Sequence, residues 1–139
     1  MKPAGYSGTP LIQKLGIRLA TRIYIQGEPK HYARTLGPLP EAVTRLRRLG
    51  QELDFIHFFT KQRAQLEQRL PALKAALDYD GMLWISWPKK ASQMKTDVDE
   101  GVVRQLGLAI GLVDVKVAAI DETWSGLKFV YRVEDRPGR

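Results

Sequence analysis

The chain contains no cysteine and only two histidines among its 139 residues. The absence of cysteine excludes disulfides, thiolate nucleophiles and cysteine-bound zinc or iron–sulfur centres. Two histidines cannot build a three-imidazole metal site, although carboxylates remain available to a hard cation. We therefore expect no resident metal or cofactor and assign no catalytic residue.

Long hydrophobic runs are also missing. The longest, residues 106–113, is far shorter than the ~20 apolar residues of a membrane-spanning helix. The first eight residues lack the apolar core of a secretory signal. These absences predict a cytoplasmic protein without membrane contact.

The composition that remains is globular, with 44% hydrophobic and 27% charged residues. The length suits one α/β domain over residues 1–139. Within it we expect an N-terminal arm with a short helix at 1–20 and a flexible tail at 134–139. Ser7 or Thr9 is the expected cap of that helix.

Positive charge is concentrated in the first two thirds of the chain. The net charge is +7, but residues 1–95 hold 16 basic and 7 acidic side chains, giving +9, whereas residues 96–139 give −2. Such asymmetry attracts anions to one part of a surface. It is equally compatible with a net charge that only keeps the protein dispersed.

The hydrophobic pattern predicts alternating strands and helices. Residues 54–60 and 82–87 are apolar at nearly every position, which is typical of strands covered on both faces. Other strands are expected at 22–27, 43–49, 113–120 and 127–133, with longer helices at 61–77 and 96–111. Pro71 should bend or divide the first of these helices, and Thr96 with Asp99 resembles a capping box for the second.

This alternation predicts a three-layer, Rossmann-like α/β fold with a mostly parallel six-stranded sheet. The last two strands are joined by the short turn 121–126, so they form an antiparallel C-terminal hairpin. Five strands should therefore run in one direction and one in the other.

Ligands of parallel α/β sheets bind beyond the carboxyl ends of the strands. Applied here, that rule gathers residues 27–29 after the first strand, 60–61 after the third and 87–90 after the fourth, and also the turn 121–126 if the fifth strand is parallel to these. The candidate ligand-binding residues are Gly27, Glu28, Trp87, Lys89, Lys90, Asp121, Glu122 and Trp124. Two tryptophans and two adjacent lysines on one rim favour an anionic ligand.

Each candidate also has a purely structural interpretation. Trp124 could cover the end of the core, and Asp121 with Glu122 could serve a turn, because adjacent residues of an extended chain point to opposite faces. His57 alternates with phenylalanines and is expected in the core, whereas His31 is a surface candidate. Glycine-rich nucleotide loops, nucleophile elbows and metalloprotease motifs are absent from the sequence.

Several segments resemble the bacterial family called domain of unknown function 3052. They are G-Y-S-G-T-P-L (5–11), K-L-G-I (14–17), L-W-I-S-W-P-K-K (83–90), G-L-V-D-V-K-V (111–117) and D-E-T-W-S-G-L-K (121–128). The resemblance runs nearly end to end and implies no particular activity.

The order of elements from residue 54 onward is similar to the back half of class I methyltransferases. That resemblance implies the strand order 2-1-3-4-6-5. Such enzymes use a glycine-rich loop after the first strand and an acidic residue after the second for S-adenosylmethionine. Here Glu28-Pro29 and Arg47-Arg48 occupy those places. The resemblance therefore implies the architecture more strongly than it implies binding of S-adenosylmethionine.

Three functions from different classes remain. The favoured one is a non-catalytic or regulatory methyltransferase-like module that binds an anionic small molecule or a protein partner. The second is nucleic-acid binding through the basic part of the chain, which includes Arg45, Arg47, Arg48, Lys61 and Arg63. The third is a degenerate S-adenosylmethionine-dependent methyltransferase. A homo-oligomeric state is left open by all three.

Overall fold

The computed structural model describes residues 9–137. Six strands form one sheet in the order β2-β1-β3-β4-β6-β5. Strand β6 is antiparallel to both of its neighbours, and the other five strands share one direction. The predicted sheet is confirmed, including its C-terminal hairpin. The strands are β1 (Arg22–Gln26), β2 (Thr44–Leu46), β3 (Leu53–Phe59), β4 (Leu77–Pro88), β5 (Leu112–Ala119) and β6 (Trp124–Tyr131).

Helices cover both faces of the sheet. They are α1 (Leu11–Leu15), α2 (Tyr32–Leu36), α3 (Arg63–Ala76) and α4 (Glu100–Ala109). Buried side chains of α3 and α4 pack in one hydrophobic cluster, and those of α1 and α2 pack in a second. Strand β3 contributes Ile56 and Phe58 to the first cluster and Phe55 and Phe59 to the second. Burial on both faces explains why this strand is apolar along its length.

Helix α3 is not divided at Pro71 and continues through it to Ala76. Proline removes one backbone hydrogen bond from a helix interior at a cost of about 3 kcal/mol. Leu66, Leu70 and Leu73 of the same helix are each at most 2% exposed. Their burial outweighs that cost, since each buried leucine contributes roughly 1.5–3 kcal/mol.

Strand β4 begins at Leu77, five residues before the predicted start. Between the pairs Leu53–Leu77 and Phe55–Met82 it carries extra residues that β3 does not match. The Asp78 side chain accepts a hydrogen bond from the Asp80 backbone N–H at 3.0 Å within this irregularity. The expected turn at residues 80–81 is therefore a bulge inside a strand.

Two predicted helix caps have different outcomes. Asp99, not Thr96, caps α4, and its side chain accepts a hydrogen bond from the Val102 backbone N–H. Thr96 instead donates its hydroxyl to the Lys61 carbonyl oxygen at 2.7 Å. For α1, the predicted cap Ser7 lies outside the described residues, and Pro10 occupies the N-cap position.

The C-terminal hairpin has a tighter turn than predicted, because β6 begins at Trp124 rather than at residue 127. Strand β5 forms the outer edge of the sheet and carries one extra residue, Val115, between its paired positions Asp114 and Lys116. Val115 and Val117 are 53% and 46% exposed. The helices among residues 9–137 include none with the length and hydropathy of a membrane span.

Candidate functional site

An open cleft with a volume of about 760 Å³ lies beyond the carboxyl end of β4. One wall is the end of β4 with the following Lys89 and Lys90, and Ser125 of β6 adjoins it. The opposite wall comes from the polar segment that precedes α4 and from the first residues of that helix. The volume is within the range of small-molecule sites.

The carboxylates in the cleft already have partners within the protein. Asp97 accepts a hydrogen bond from a backbone N–H at the start of α3 at 2.7 Å. Asp99 accepts one from the Val102 backbone N–H at 2.9 Å, and Glu100 forms an ion pair with Arg104 at 2.9 Å. These bonds fix the wall and the start of α4, while all three carboxylates keep their negative charge.

The two lysines in the cleft have no such partners. Within residues 9–137, Lys89 and Lys90 form no ion pair and no side-chain hydrogen bond. Burial, and then the nearby charges of Lys116 and Lys89, lower the pKa of Lys14. The surroundings of Lys89 are therefore also basic on the side of α1. An anion that entered the cleft would be attracted most strongly by Lys89 and Lys90.

The sheet separates the two predicted tryptophans. Trp87 lines the cleft and packs into the cluster with α3 and α4, whereas Trp124 packs with α1 and α2 on the opposite face. Both are nearly buried, at 5% and 6% exposure. The rings of Trp124 and Phe59 pack edge to face, with 5.3 Å between their centroids. Trp124 is therefore part of the core, in line with the structural interpretation of this residue given above.

Asp121 and Glu122 lie in the β5–β6 turn, outside the lining of the cleft. Asp121 Oδ1 accepts hydrogen bonds from the backbone N–H groups of Thr123 and Trp124 at 2.8 and 2.7 Å. Lys89 donates its backbone N–H to the Thr123 carbonyl oxygen at 2.7 Å. Asp121 therefore shapes the turn that supports the lysine loop.

Gly27 and Glu28 lie after β1 and outside the cleft lining. Gly27 has φ of 77°, and a Cβ there would collide with the Phe59 carbonyl oxygen, so close approach to β3 accounts for this glycine. The Glu28 carboxylate forms an ion pair with Arg45 of β2. Of the predicted site residues, the structure brings only Trp87, Lys89 and Lys90 together in the cleft.

The second wall of the cleft, from Met94 to Gly101, was not predicted from the sequence. A usable signal was present, because β4 and α4 are joined by eleven residues, 89–99, whereas connections of 4–6 residues are usual. Long connections in α/β domains are frequently functional.

His57 belongs to a separate polar group inside the core. Hydrogen bonds join its Nδ1 to the Tyr32 hydroxyl at 2.8 Å and its Nε2 to the Ser86 hydroxyl at 2.7 Å. His57 and Ser86 are fully buried, and burial lowers the pKa of His57 to about 3. The imidazole is neutral and structural, as predicted, and the exposed His31 is confirmed as a surface residue. No cluster of three metal-ligating side chains occurs between residues 9 and 137.

No family model matches this chain, and no curated protein does either, so the resemblance to domain of unknown function 3052 stays a prediction. Solved structures are similar in fold. A SAM-dependent methyltransferase from Aquifex aeolicus matches with a TM-score of 0.61 and 11% identity, over 90% of this chain and 89% of its own. A ribosomal protein L11 methylase from Lactobacillus delbrueckii subsp. bulgaricus has a TM-score of 0.56 and 11% identity, over 88% of this chain and 75% of its own. Magnesium protoporphyrin IX methyltransferase from Synechocystis PCC 6803 has a TM-score of 0.55 and 10% identity, over 88% of this chain and 78% of its own.

The residues at the carboxyl ends of β1 and β2 do not fit S-adenosylmethionine. The loop after β1 has a single glycine, Gly27, which is packed against β3. Its neighbour Glu28 is held by Arg45, and β2 is followed by two arginines instead of an acidic ribose ligand. The chain therefore has the fold of SAM-dependent methyltransferases while lacking, after β1 and β2, the side chains by which that fold holds its cofactor.

Proposed function

We propose that this chain is a methyltransferase-like binding module without methyl-transfer activity, and that it binds a small anionic ligand in the cleft at the end of β4. The supporting observation is that the acidic and the basic side chains of the cleft differ in whether they have partners. The three carboxylates have partners in the protein, whereas Lys89 and Lys90 have none among the described residues.

The absence of methyl transfer is supported by the region after β1. Glu28 and Arg45 form an ion pair where a glycine-rich loop would need open space for a cofactor. Arg47 and Arg48 follow β2 and are exposed, so the place of the ribose-binding acid carries positive charge.

Lysine ammonium groups bind phosphate as point charges, and a loop fixed by backbone hydrogen bonds presents them without a large ordering cost. Lys89 and Lys90 are fixed in this way. The backbone N–H of Lys89 bonds to the β5–β6 turn, and Ser92 donates its hydroxyl to the Lys89 carbonyl oxygen at 2.6 Å.

Pyrophosphate is expected to bind the native chain, and the double variant Lys89→Gln/Lys90→Gln should weaken that binding at least about tenfold. Tenfold corresponds to ~1.4 kcal/mol, which is a modest value for two lost charge-assisted contacts. Isothermal titration calorimetry at constant ionic strength measures the effect.

The matched control is Lys30→Gln/Arg34→Gln, which removes the same charge from exposed side chains outside the cleft. It should change the affinity for pyrophosphate less than about twofold, since salt screens exposed charges outside the cleft. Equal weakening by both double variants, or no binding of pyrophosphate at all, contradicts the proposal.

S-adenosylmethionine is expected to give no binding heat and no rise in melting temperature, because the loop after β1 has a single glycine and arginines follow β2. A ligand that binds only the folded state raises stability by RT ln(1 + [L]/Kd), so a millimolar ligand with micromolar affinity would be visible in a thermal melt. Such a rise would support the degenerate methyltransferase alternative instead.

Nucleic-acid binding is the second candidate. It is favoured by Arg47 and Arg48, which are exposed and form no ion pair with any described residue. Against it, Trp87 and Trp124 are buried and offer no surface on which bases can stack. For this candidate, the affinity for an oligonucleotide should fall steeply as the salt concentration rises. The double variant Arg47→Gln/Arg48→Gln should abolish this dependence.

A further inference from the structure

A second basin adjoins the cleft. Its volume is about 530 Å³, and it lies at the end of β3, lined by Lys61, Gln62, Lys95, Thr96 and Asp97. Thr96 and Asp97 also line the cleft at the end of β4. The two depressions are therefore neighbours that meet along one shared pair of residues.

The shared pair is fastened to the β3 side. The Thr96 hydroxyl donates to the Lys61 carbonyl oxygen at 2.7 Å. Asp97 accepts from the Arg63 backbone N–H at 2.7 Å. These bonds hold the segment before α4 against the start of α3, so the relative position of the basins is set by hydrogen bonds between side chains and backbone.

The second basin repeats the charge pattern of the first. Lys61 and Lys95 are exposed and form no ion pair or side-chain hydrogen bond with the described part of the chain. The only carboxylate in its lining is Asp97, which is held by its backbone donor. Four lysines without a side-chain partner among the described residues therefore line the two neighbouring basins, two in each.

The chemistry of the lining limits the kind of anion. Lysines supply positive charge without the bidentate geometry by which arginine selects planar groups. Neither lining holds an exposed aromatic ring, because Trp87 is 5% exposed. The surface therefore offers charge to phosphate groups and no stacking platform to a base.

We propose that the ligand is a linear chain of phosphate groups that occupies both basins at once, with Lys89 and Lys90 holding one part and Lys61 and Lys95 the other. This inference rests on the proposed function, since it extends the anion site of the cleft. Joining two weak phosphate sites in one ligand raises the affinity, because the second contact becomes intramolecular.

The test compares pyrophosphate with a long inorganic polyphosphate by calorimetry at constant ionic strength, with concentrations counted per chain. The native chain should bind the long polyphosphate at least about tenfold more tightly than pyrophosphate. Lys61→Gln/Lys95→Gln should remove this gain and leave the affinity for pyrophosphate within about twofold. The control Lys30→Gln/Arg34→Gln should keep the gain.

The outcomes separate the inference from the proposed function. If Lys61→Gln/Lys95→Gln keeps the full gain, the two-basin ligand is wrong while the anion cleft stands. If pyrophosphate fails to bind, or binds regardless of Lys89 and Lys90, the proposed function itself falls. If a single-stranded oligonucleotide with as many phosphates binds more tightly than polyphosphate, the inference is overturned in favour of nucleic acid.

Discussion

Gly107→Ala is expected to destabilise the protein by about 2 kcal/mol. A Cβ at this position of α4 would collide with the ring of Phe129 on β6. Phe129 is fully buried, so its ring has no free space into which to turn, and overpacking of this kind displaces the helix or the strand. Urea unfolding followed by far-UV circular dichroism measures the loss.

Gly101→Ala is the matched control, because it lies in the same helix. There the nearest atom that a Cβ would meet is Asp99 Oδ1 at 3.5 Å, an ordinary contact. This variant should be unchanged or up to about 1 kcal/mol more stable, through the higher helix propensity of alanine. Similar stabilities for the two variants would mean that α4 does not pack on β6 as closely as described.

Acidification from pH 7 to pH 5 is expected to cost the protein about 2 kcal/mol through His57 alone. Burial lowers the pKa of His57 to about 3 in the folded chain, against about 6.5 when unfolded. Between these values the unfolded chain binds a proton that the folded chain does not. The stability is therefore complete above pH 6.5 and is lost by roughly 1.4 kcal/mol per unit as the pH falls.

His57→Gln removes the titration and retains both a donor and an acceptor for Tyr32 and Ser86. It should lower stability at pH 7, yet its unfolding free energy should change about 2 kcal/mol less than that of the native chain between pH 7 and pH 5. His31→Gln makes the same replacement at an exposed histidine and serves as the matched control. Parallel profiles for the native chain and His57→Gln would refute this account.

The sheet could be predicted because its central strands carry an unambiguous pattern. Residues of β3 alternate between two hydrophobic clusters, which leaves no polar face in the sequence. The boundaries were less predictable because they depend on distant neighbours. Strand β6 starts at Trp124 since Gly126 fits between Ser86, Ile120 and Trp84, a packing that no local pattern reveals.

The site was predicted only in part, for a related reason. The rule that ligands bind at the carboxyl ends of strands selected Lys89 and Lys90, and the structure places both in the lining of the cleft. It could not tell that Trp124 packs on the opposite face from Trp87, because that depends on the antiparallel pairing of Pro88 with Trp124. Nor could it identify which carboxylates were already bonded.

The free edges of the sheet bear on self-association. A regular exposed strand would offer its unpaired N–H and C=O groups to another copy, as in fibril growth. Strand β2 is only three residues long, and the outer edge of β5 is interrupted at Val115, next to the charged Lys116. Although two valines are exposed on this edge, the broken spacing and the charge oppose stacking of copies into a continuous sheet.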